Sequence, residues 1–265
     1  MKANSVIEYD LIIFINNIRY LQTMRKATIN LLAIIPARGG SKRLPGKNIK
    51  DFCGKPMIAW SIEAAKECRL ISRVIVSTDD DNIAAVARRF GAEVPFMRPK
   101  ALATDAAKTS DVIRHTLTTL KDKERYTPDY ICLLQPTAPL RTAKHITKAV
   151  DLMLSRKADA CVSVVETRIN PYFTNTIGKD GMFHDYIKNT GRKYVAKLKS
   201  QKIYALNGAI YIIKTDVFLK EQTFEPKKTA AYVMNQEDSV DVDTINDFMI
   251  AEFIKKNICG RAKPT

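Results

Sequence analysis

The sequence predicts an α/β fold in which a mostly parallel, doubly wound sheet carries helices on both faces, with one small β-rich excursion. Three observations point there. Short β-branched runs alternate with segments of helical period between residues 31 and 166, the pattern of strands joined by crossover helices. The first run, LLAIIP at 31–36, is apolar throughout and bounded by turn formers, as expected of a strand buried on both faces. The alternation then stops over 167–205, which holds Asn170, Pro171, Asn175, Gly178, Gly181, Asn189 and Gly191 among many lysines.

The elements follow in order. After the first strand comes a glycine-rich loop, and then 56–68 (PMIAWSIEAAKEC) places apolar residues at helical spacing. RVIVS at 73–77 reads as a strand. The 80–90 segment has a helical period, with Asp80 or Asp81 placed to cap it. Residues 106–120 read as helix, with Thr104 or Asp105 near the start. A strand at 130–134, a helix at 143–155 and a strand at 160–166 complete the alternation. The core resumes at 207–213 and closes with a helix from 243 to about 256. Right-handed crossovers are expected between the parallel strands.

A chain of 265 residues accommodates one large α/β domain, placed at 31–258 with the excursion at 167–205 inside it. Its 46% hydrophobic and 27% charged residues are those of an ordinary soluble protein. The formal net charge of +15 is not ordinary, and it raises the local concentration of anionic partners. Nucleic acid is disfavoured as that partner: Lys and Arg are spread along the chain, and no helix-turn-helix, zinc-finger or aromatic RNA-binding pattern appears. Cys53, Cys68, Cys132, Cys161 and Cys259 form no C-x-x-C pair, which argues for free thiols in a reducing compartment, the cytoplasm. His115, His145 and His184 lack zinc-ligand spacing. Residues 1–30 stand apart as an N-terminal extension. Asp10, Asn16, Asn17 and Arg19 interrupt its apolar run, so it reaches neither the roughly 20 residues of a membrane span nor the form of a signal peptide. Either Met24 is the true start, or the extension packs on the domain or on a partner subunit.

The stretch 31–48, LLAIIPARGGSKRLPGKN, is the most informative about function. Gly39, Gly40 and Gly46 stand among Arg38, Lys42, Arg43 and Lys47. Glycines let a backbone turn sharply and approach a ligand, and backbone amides with cations suit a polyphosphate. The spacing matches neither of the common glycine-rich nucleotide motifs. A basic surface loop is the plain alternative. Near the other end, Asp241 and Asp243 alternate in SVDVDT. On a strand they share one face opposite Val240 and Val242, which would make a hard-oxygen site for Mg²⁺. The alternatives are the polar face of an edge strand, or helix capping by Asp243.

The loop closely resembles the signature of the CMP-sialic acid synthetases (acylneuraminate cytidylyltransferases), roughly A-R-x-G-S-K-x-[LIV]-P-x-K-N. Later stretches agree in order: VIVSTDD at 74–80, RPKALATDAAKTSDVI at 98–113, LLQPTAPLR at 133–141, LNGAIYI at 206–212 and SVDVDT at 239–244. The resemblance covers about 31–255 and implies a nucleotidyltransferase-like Rossmann variant. The implied reaction transfers CMP from CTP to the anomeric hydroxyl of a nine-carbon 2-keto sugar acid, releasing pyrophosphate with the help of Mg²⁺. It further implies that the excursion makes a homodimer and reaches a neighbour's active site.

The resemblance also implies site residues. Ala37, Arg38, Gly39, Ser41, Lys47 and Asn48 would bind the nucleotide, with Arg38 and Lys47 on the triphosphate. Ser77, Thr78 and Asp79 end a strand and serve either the nucleotide or simple turn chemistry. Arg98 and Thr109 would face the cytosine. Gln135, Thr137, Arg141, Asn207 and Gly208 fall on the sugar-acid side, although Arg141 could instead pair on the surface and Gly208 mark only a bulge. Arg38, Lys47, Gln135, Asp241 and Asp243 form the catalytic set, the last two as metal ligands. One departure stands out. Where the family often has a substrate-reaching Arg before the Asn-Gly pair, this chain has Lys197 nearest and Arg192 upstream, and Lys lacks the Arg fork. That leaves pseudaminic, legionaminic or 3-deoxy-octulosonic acid as rival acceptors. A non-catalytic nucleotide- or nucleic-acid-binding protein is the rival of another class.

Overall fold

The computed structural model describes residues 29–167, 169, 171, 174–187 and 202–257. Ten strands and six α-helices lie among them. The main sheet has six strands in the order β10-β6-β9-β5-β1-β4. They are β1 (Leu31–Pro36), β4 (Ile71–Ser77), β5 (Tyr130–Leu133), β6 (Ala160–Glu166), β9 (Tyr204–Lys214) and β10 (Thr229–Met234). β1 pairs in parallel with β4 and β5, and β10 in parallel with β6. β9 alone runs antiparallel, between β5 and β6. The sheet is thus mostly parallel, as the β–α alternation predicts.

Strand alternation sorts the core into two layers. Leu31, Ala33 and Ile35 of β1 face one side, with buried residues of α1 (Met57–Glu67), α2 (Asp81–Arg89) and α4 (Ala143–Ser155). Leu32 and Ile34 face the other, with Ile113, Leu117 and Leu120 of α3 (Thr109–Glu124) and Phe218 of α5 (Thr215–Glu221). All five β1 residues are at most 1% exposed, which is why the run carries no polar residue. A smaller cluster joins Leu44, Phe52, Met57, Leu140, Val242 and Phe248. It ties α6 (Ile245–Asn257) and the small hairpin β2 (Asp51–Phe52) and β3 (Lys55–Pro56) to the end of the sheet.

Several boundaries differ from the sequence reading. Asp80 caps α2, accepting from the Ile83 amide at 2.9 Å. α3 starts at Thr109 rather than near 106, because Lys108 is extended and 104–107 form a turn. It runs on to Glu124 past the last apolar residue, through a solvated polar turn, and ends where Arg125 turns left-handed (φ 52). α5 and β10 carried no sequence signal strong enough to be read. The SVDVDT segment is not a strand of any sheet. It is an extended connection whose Val242 is buried in the small cluster and donates its amide to Thr137 O at 2.8 Å. Nor does Asp243 cap α6: Thr244 and Asp247 do, through the Thr244 amide and hydroxyl, each 2.7 Å from Asp247 Oδ2. Of the excursion, the described residues form a separate two-stranded sheet, β7 (Asn175–Ile177) against β8 (Phe183–Asp185). Among the described residues no helix is long and apolar enough to cross a membrane.

Candidate active site

The loop after β1 is held from three directions. Ala37 N donates to Ser77 O at 3.0 Å, continuing the β1–β4 ladder past the strand end. Gly39 N donates to Asp79 Oδ1 at 3.1 Å. A Cβ on Gly39 would lie 2.7 Å from Asp80 Oδ2, so only glycine lets the loop pass this close to the α2 cap. Asn48, buried, donates from Nδ2 to Arg38 O at 3.0 Å and closes the loop on itself. Gly46, at φ 66, makes the left-handed turn before Lys47. Lys47 is 11% exposed and reaches across to Val242 O at 2.8 Å and Asp243 Oδ1 at 3.0 Å.

This loop forms one wall of a cleft of about 300 Å³ at the carboxyl ends of the strands, where open α/β sheets gather ligands. Arg38, Ser41, Lys47, Asn48, Arg98 and Thr109 all line it. Gln135, Thr137 and Asp243 do too. Arg98 is buried and strongly oriented: Nε donates to Ser77 Oγ at 3.2 Å, Nη2 to Ser77 O, and Nη1 to Leu102 O at 3.4 Å. Burial lowers its pKa to about 10, with Arg38 adding to the drop and Asp79 opposing it. It still carries its charge at neutral pH.

The other end of the cleft is held by fewer hydrogen bonds. Gln135 follows β5, its Oε1 accepting from Thr137 Oγ1 at 3.4 Å. Gly208 sits beside it at φ 72, and a Cβ there would lie 3.6 Å from Gln135 Oε1 and 3.8 Å from Asp241 Oδ2. Asp241 as a residue is exposed, with Gly208 and the Thr137 hydroxyl beside its carboxyl end. Desolvation pushes its pKa up; the Thr137 hydroxyl opposes this and Asp243 adds to it. Asp243 meets Lys47 and, at 2.9 Å, Arg43 Nη2. Asp241 thus stands by Gly208, while Asp243 turns to the loop cations. Both are hard oxygen donors, the ligand type that Mg²⁺ takes. Among the described residues no cluster of three or more His, Cys, Asp or Glu side chains forms a site of its own.

Of the expected site residues, Gly39, Asp79, Gly208 and Asp241 do not line the cleft, and neither do Ser77, Arg141, Asn207 and Ala37. Ser77 is fully buried and acts on the cleft indirectly, by holding Arg98 and, through its carbonyl, the start of the loop at Ala37. Arg141 is 2% exposed, donating from Nη1 to Gln135 O at 3.2 Å and Ala209 O at 2.8 Å. It brackets the end of β5 and the middle of β9 and is not a surface pair, while its Nε and Nη2 are buried without a hydrogen-bond partner among the described residues. Burial lowers its pKa to about 10. Asn207 is also turned inward: its Oδ1 accepts from Ser163 Oγ at 2.6 Å and its Nδ2 donates to Ser239 Oγ at 2.9 Å. This ties β9 to β6 where their register shifts. Ala37 is buried in the strand extension. Lys197 and Arg192 lie outside the described residues. Conversely, Arg43 and Asp105, absent from the expected site, face the cleft. Arg43 was legible as one of the loop cations. Asp105 was read only as a helix start.

A mostly parallel sheet whose strand ends hold a cation-rich cleft beside paired carboxylates defines a nucleotidyltransferase-type α/β protein. The cytidylyltransferase family model matches residues 32–255, and the chain belongs to that family. It is therefore an enzyme of nucleotidyl transfer, and the reading as a non-catalytic binding protein falls away. It is 36% identical over 234 residues to a CMP-N,N'-diacetyllegionaminic acid synthase of Legionella pneumophila, covering 84% of this chain and 95% of that one. It is also 36% identical over 229 residues to an N-acylneuraminate cytidylyltransferase of Escherichia coli, covering 86% of this chain but 53% of that longer protein. Among solved structures, CMP:2-keto-3-deoxy-manno-octonic acid synthetase complexed with CTP superposes with a TM-score of 0.62 at 19% identity, over 86% of this chain and 98% of that one. At that identity the likeness is one of fold.

Proposed function

We propose that the protein transfers CMP from CTP to the anomeric hydroxyl of a sialic-acid-like nine-carbon 2-keto sugar acid, releasing pyrophosphate. The observation that carries this is the convergence, in one cleft, of Arg38, Lys47, Arg98, Gln135 and Asp243 from four separate stretches of chain. Relatives named for legionaminic and N-acylneuraminic acids support the substrate class.

The reaction is an in-line displacement at the α-phosphorus. The anomeric oxygen forms the new P–O bond as its proton passes to solvent, the bond to the β-phosphate bridging oxygen breaks, and pyrophosphate leaves with that electron pair. Arg38 and Lys47 neutralise charge on the departing phosphates, Lys47 being fixed for this by Val242 O. Arg98, pinned by Ser77, and Thr109 face the cytosine. The Gln135 amide aligns the hydroxyl without titrating, and Gly208 leaves room for the sugar beside it. Asp241 and Asp243 would hold Mg²⁺, which supplies electrostatic stabilisation of phosphate charge when bound. Such chemistry depends mainly on positioning and charge.

We further infer a homodimer built through 167–205. A two-stranded sheet is marginal alone, and β7–β8 leaves Ile177 74% and Phe183 69% exposed, with Met182 and Tyr186 beside them. A second copy covering this face would bring its own excursion toward the Gln135 end of the cleft. The cytoplasm suits an enzyme using CTP with free thiols. Pyrophosphate release from CTP, assayed across N-acylneuraminic, legionaminic, pseudaminic and 3-deoxy-octulosonic acids, tests the reading. No release with any of them at millimolar acid and Mg²⁺ overturns it.

A further inference from the structure

Asp105 joins the two walls of the cleft. Its Oδ1 lies 2.6 Å from Arg38 Nη2 and its Oδ2 2.6 Å from Lys42 Nζ. Both cations belong to the loop after β1. Asp105 belongs to the opposite wall, between the 3-10 turn Lys100–Leu102 and α3. One carboxylate with each oxygen on a different cation takes up the donors that a phosphate group would otherwise receive. The hydrogen bonds from Lys42 and Arg38 hold its pKa below the ordinary carboxylate range, so it is ionised whenever nucleotide is. The bridge is also exchangeable: the Asp105 side chain is 52% exposed and that of Lys42 80%, and exposed pairs of this kind are weak.

The loop's other carboxylate differs. Asp243 holds Arg43 and Lys47, but Lys47 is largely buried and has a second, backbone partner in Val242 O. That contact is part of a built site. Among the described residues, Asp105 has no cleft partner beyond the two loop cations Arg38 and Lys42.

Resting on the proposed function, we propose that Asp105 is an internal competitor for the triphosphate. It keeps Arg38 and Lys42 ordered in the empty cleft, must be displaced when CTP binds, and returns to favour release of pyrophosphate. Its presence weakens nucleotide binding and keeps product from lingering.

The test compares wild type with Asp105→Asn and Asp105→Ala by calorimetric titration of CTP and of inorganic tripolyphosphate. The control is Asp111→Asn. It removes the same charge from nearby chain, but from a residue paired with Arg114 at 2.8 Å. Both Asp105 variants are expected to lower the Kd for both ligands about threefold to tenfold, the scale of releasing exposed ion pairs. Inhibition by pyrophosphate should tighten in parallel, and the control should move Kd far less. Unchanged or weaker binding in the Asp105 variants, or an equal gain in the control, overturns the proposal. Tripolyphosphate reads the competition without turnover, so failure of every sugar acid in the activity assay would sink the functional reading alone.

Discussion

The two halves of the cleft are built differently. On the nucleotide side, the ligand-facing groups are already fixed by protein: Asn48 closes the loop on Arg38 O, Gly39 is tied to Asp79, and Arg98 is clamped by both oxygens of Ser77. On the acceptor side, Gln135 Oε1 has one long contact, to Thr137 at 3.4 Å. Its neighbours Gly208 and Asp241 come from distant stretches, and the β7–β8 hairpin stands apart from the main sheet. A preorganised half suits a substrate common to a whole family, because polar groups fixed in advance need no reorganisation when charge develops. A less fixed half suits an acceptor that varies between relatives. Asp241 and Asp243 lie at the seam.

The largest effect is therefore expected at the seam. Asp241→Asn or Asp243→Asn should lower turnover about 10²–10³-fold while leaving a folded protein, the usual scale for one lost transition-state charge contact. Pyrophosphate release at saturating Mg²⁺ measures it. Near-normal turnover in both variants would remove the carboxylate pair from the chemistry.

The halves should then separate under deletion. Removing 170–200 takes away the hairpin and leaves every described nucleotide contact in place. CTP binding should stay within about twofold, while kcat/KM for the sugar acid falls about tenfold or more through lost positioning. Light scattering at micromolar concentration should change from about twice the chain mass to one chain. A full-length protein that is monomeric and fully active would break the comparison.

How much of this was legible in the sequence follows the same division. The loop could be read because its requirements are local: a buried strand, glycines where Asp80 and the left-handed turn demand them, and cations between. β1, α4 and β6 were placed to the residue because their apolar periodicity coincides with their hydrogen-bonded limits. The acceptor side was harder. Asn207 and Arg141 look like ligand groups by type, and only tertiary packing shows that Asn207 staples β9 to Ser163 and that Arg141 joins the end of β5 to the middle of β9. The alternation of Asp241 and Asp243 about Val242 did reflect opposite faces. What it could not show is that the segment packs by Val242, with Val240 partly buried beside it, without joining a sheet. β10, an edge strand with half-exposed alanines, lacks the apolar density that marks the buried strands.

A subtler change tests the nucleotide half from behind. Ser77→Ala removes one hydrogen bond to Arg98 without touching the cleft. Losing it should cost about 1 kcal/mol and raise KM for CTP about fivefold, with KM for the acid unchanged. An equal rise in both would mean that the halves are not independent. CTP should also remain preferred over UTP, ATP and GTP, since a pocket built to hydrogen-bond one base edge rejects analogues that leave its polar groups unpaired.

The smallest effect concerns stability. Asp241 has its pKa raised by burial of its carboxyl and by Asp243, so the folded chain holds that proton more tightly than the unfolded one. Stability then falls as pH rises from the ordinary carboxylate range through the raised value, and at neutral pH the ionised group is a standing cost. Because the residue is exposed, solvent screens much of this. In Mg²⁺-free buffer at pH 7, Asp241→Asn should raise Tm by about 1–2 °C, a fraction of a kcal/mol in a chain this long. The gain should vanish below the ordinary carboxylate range, where Asp241 is protonated in both states. The same substitution would thus make the protein slightly more stable and far less active, as expected if the carboxylate is kept for a cation and not for the fold. A lower Tm at pH 7 would instead make Asp241 a structural residue and leave the seam to Asp243.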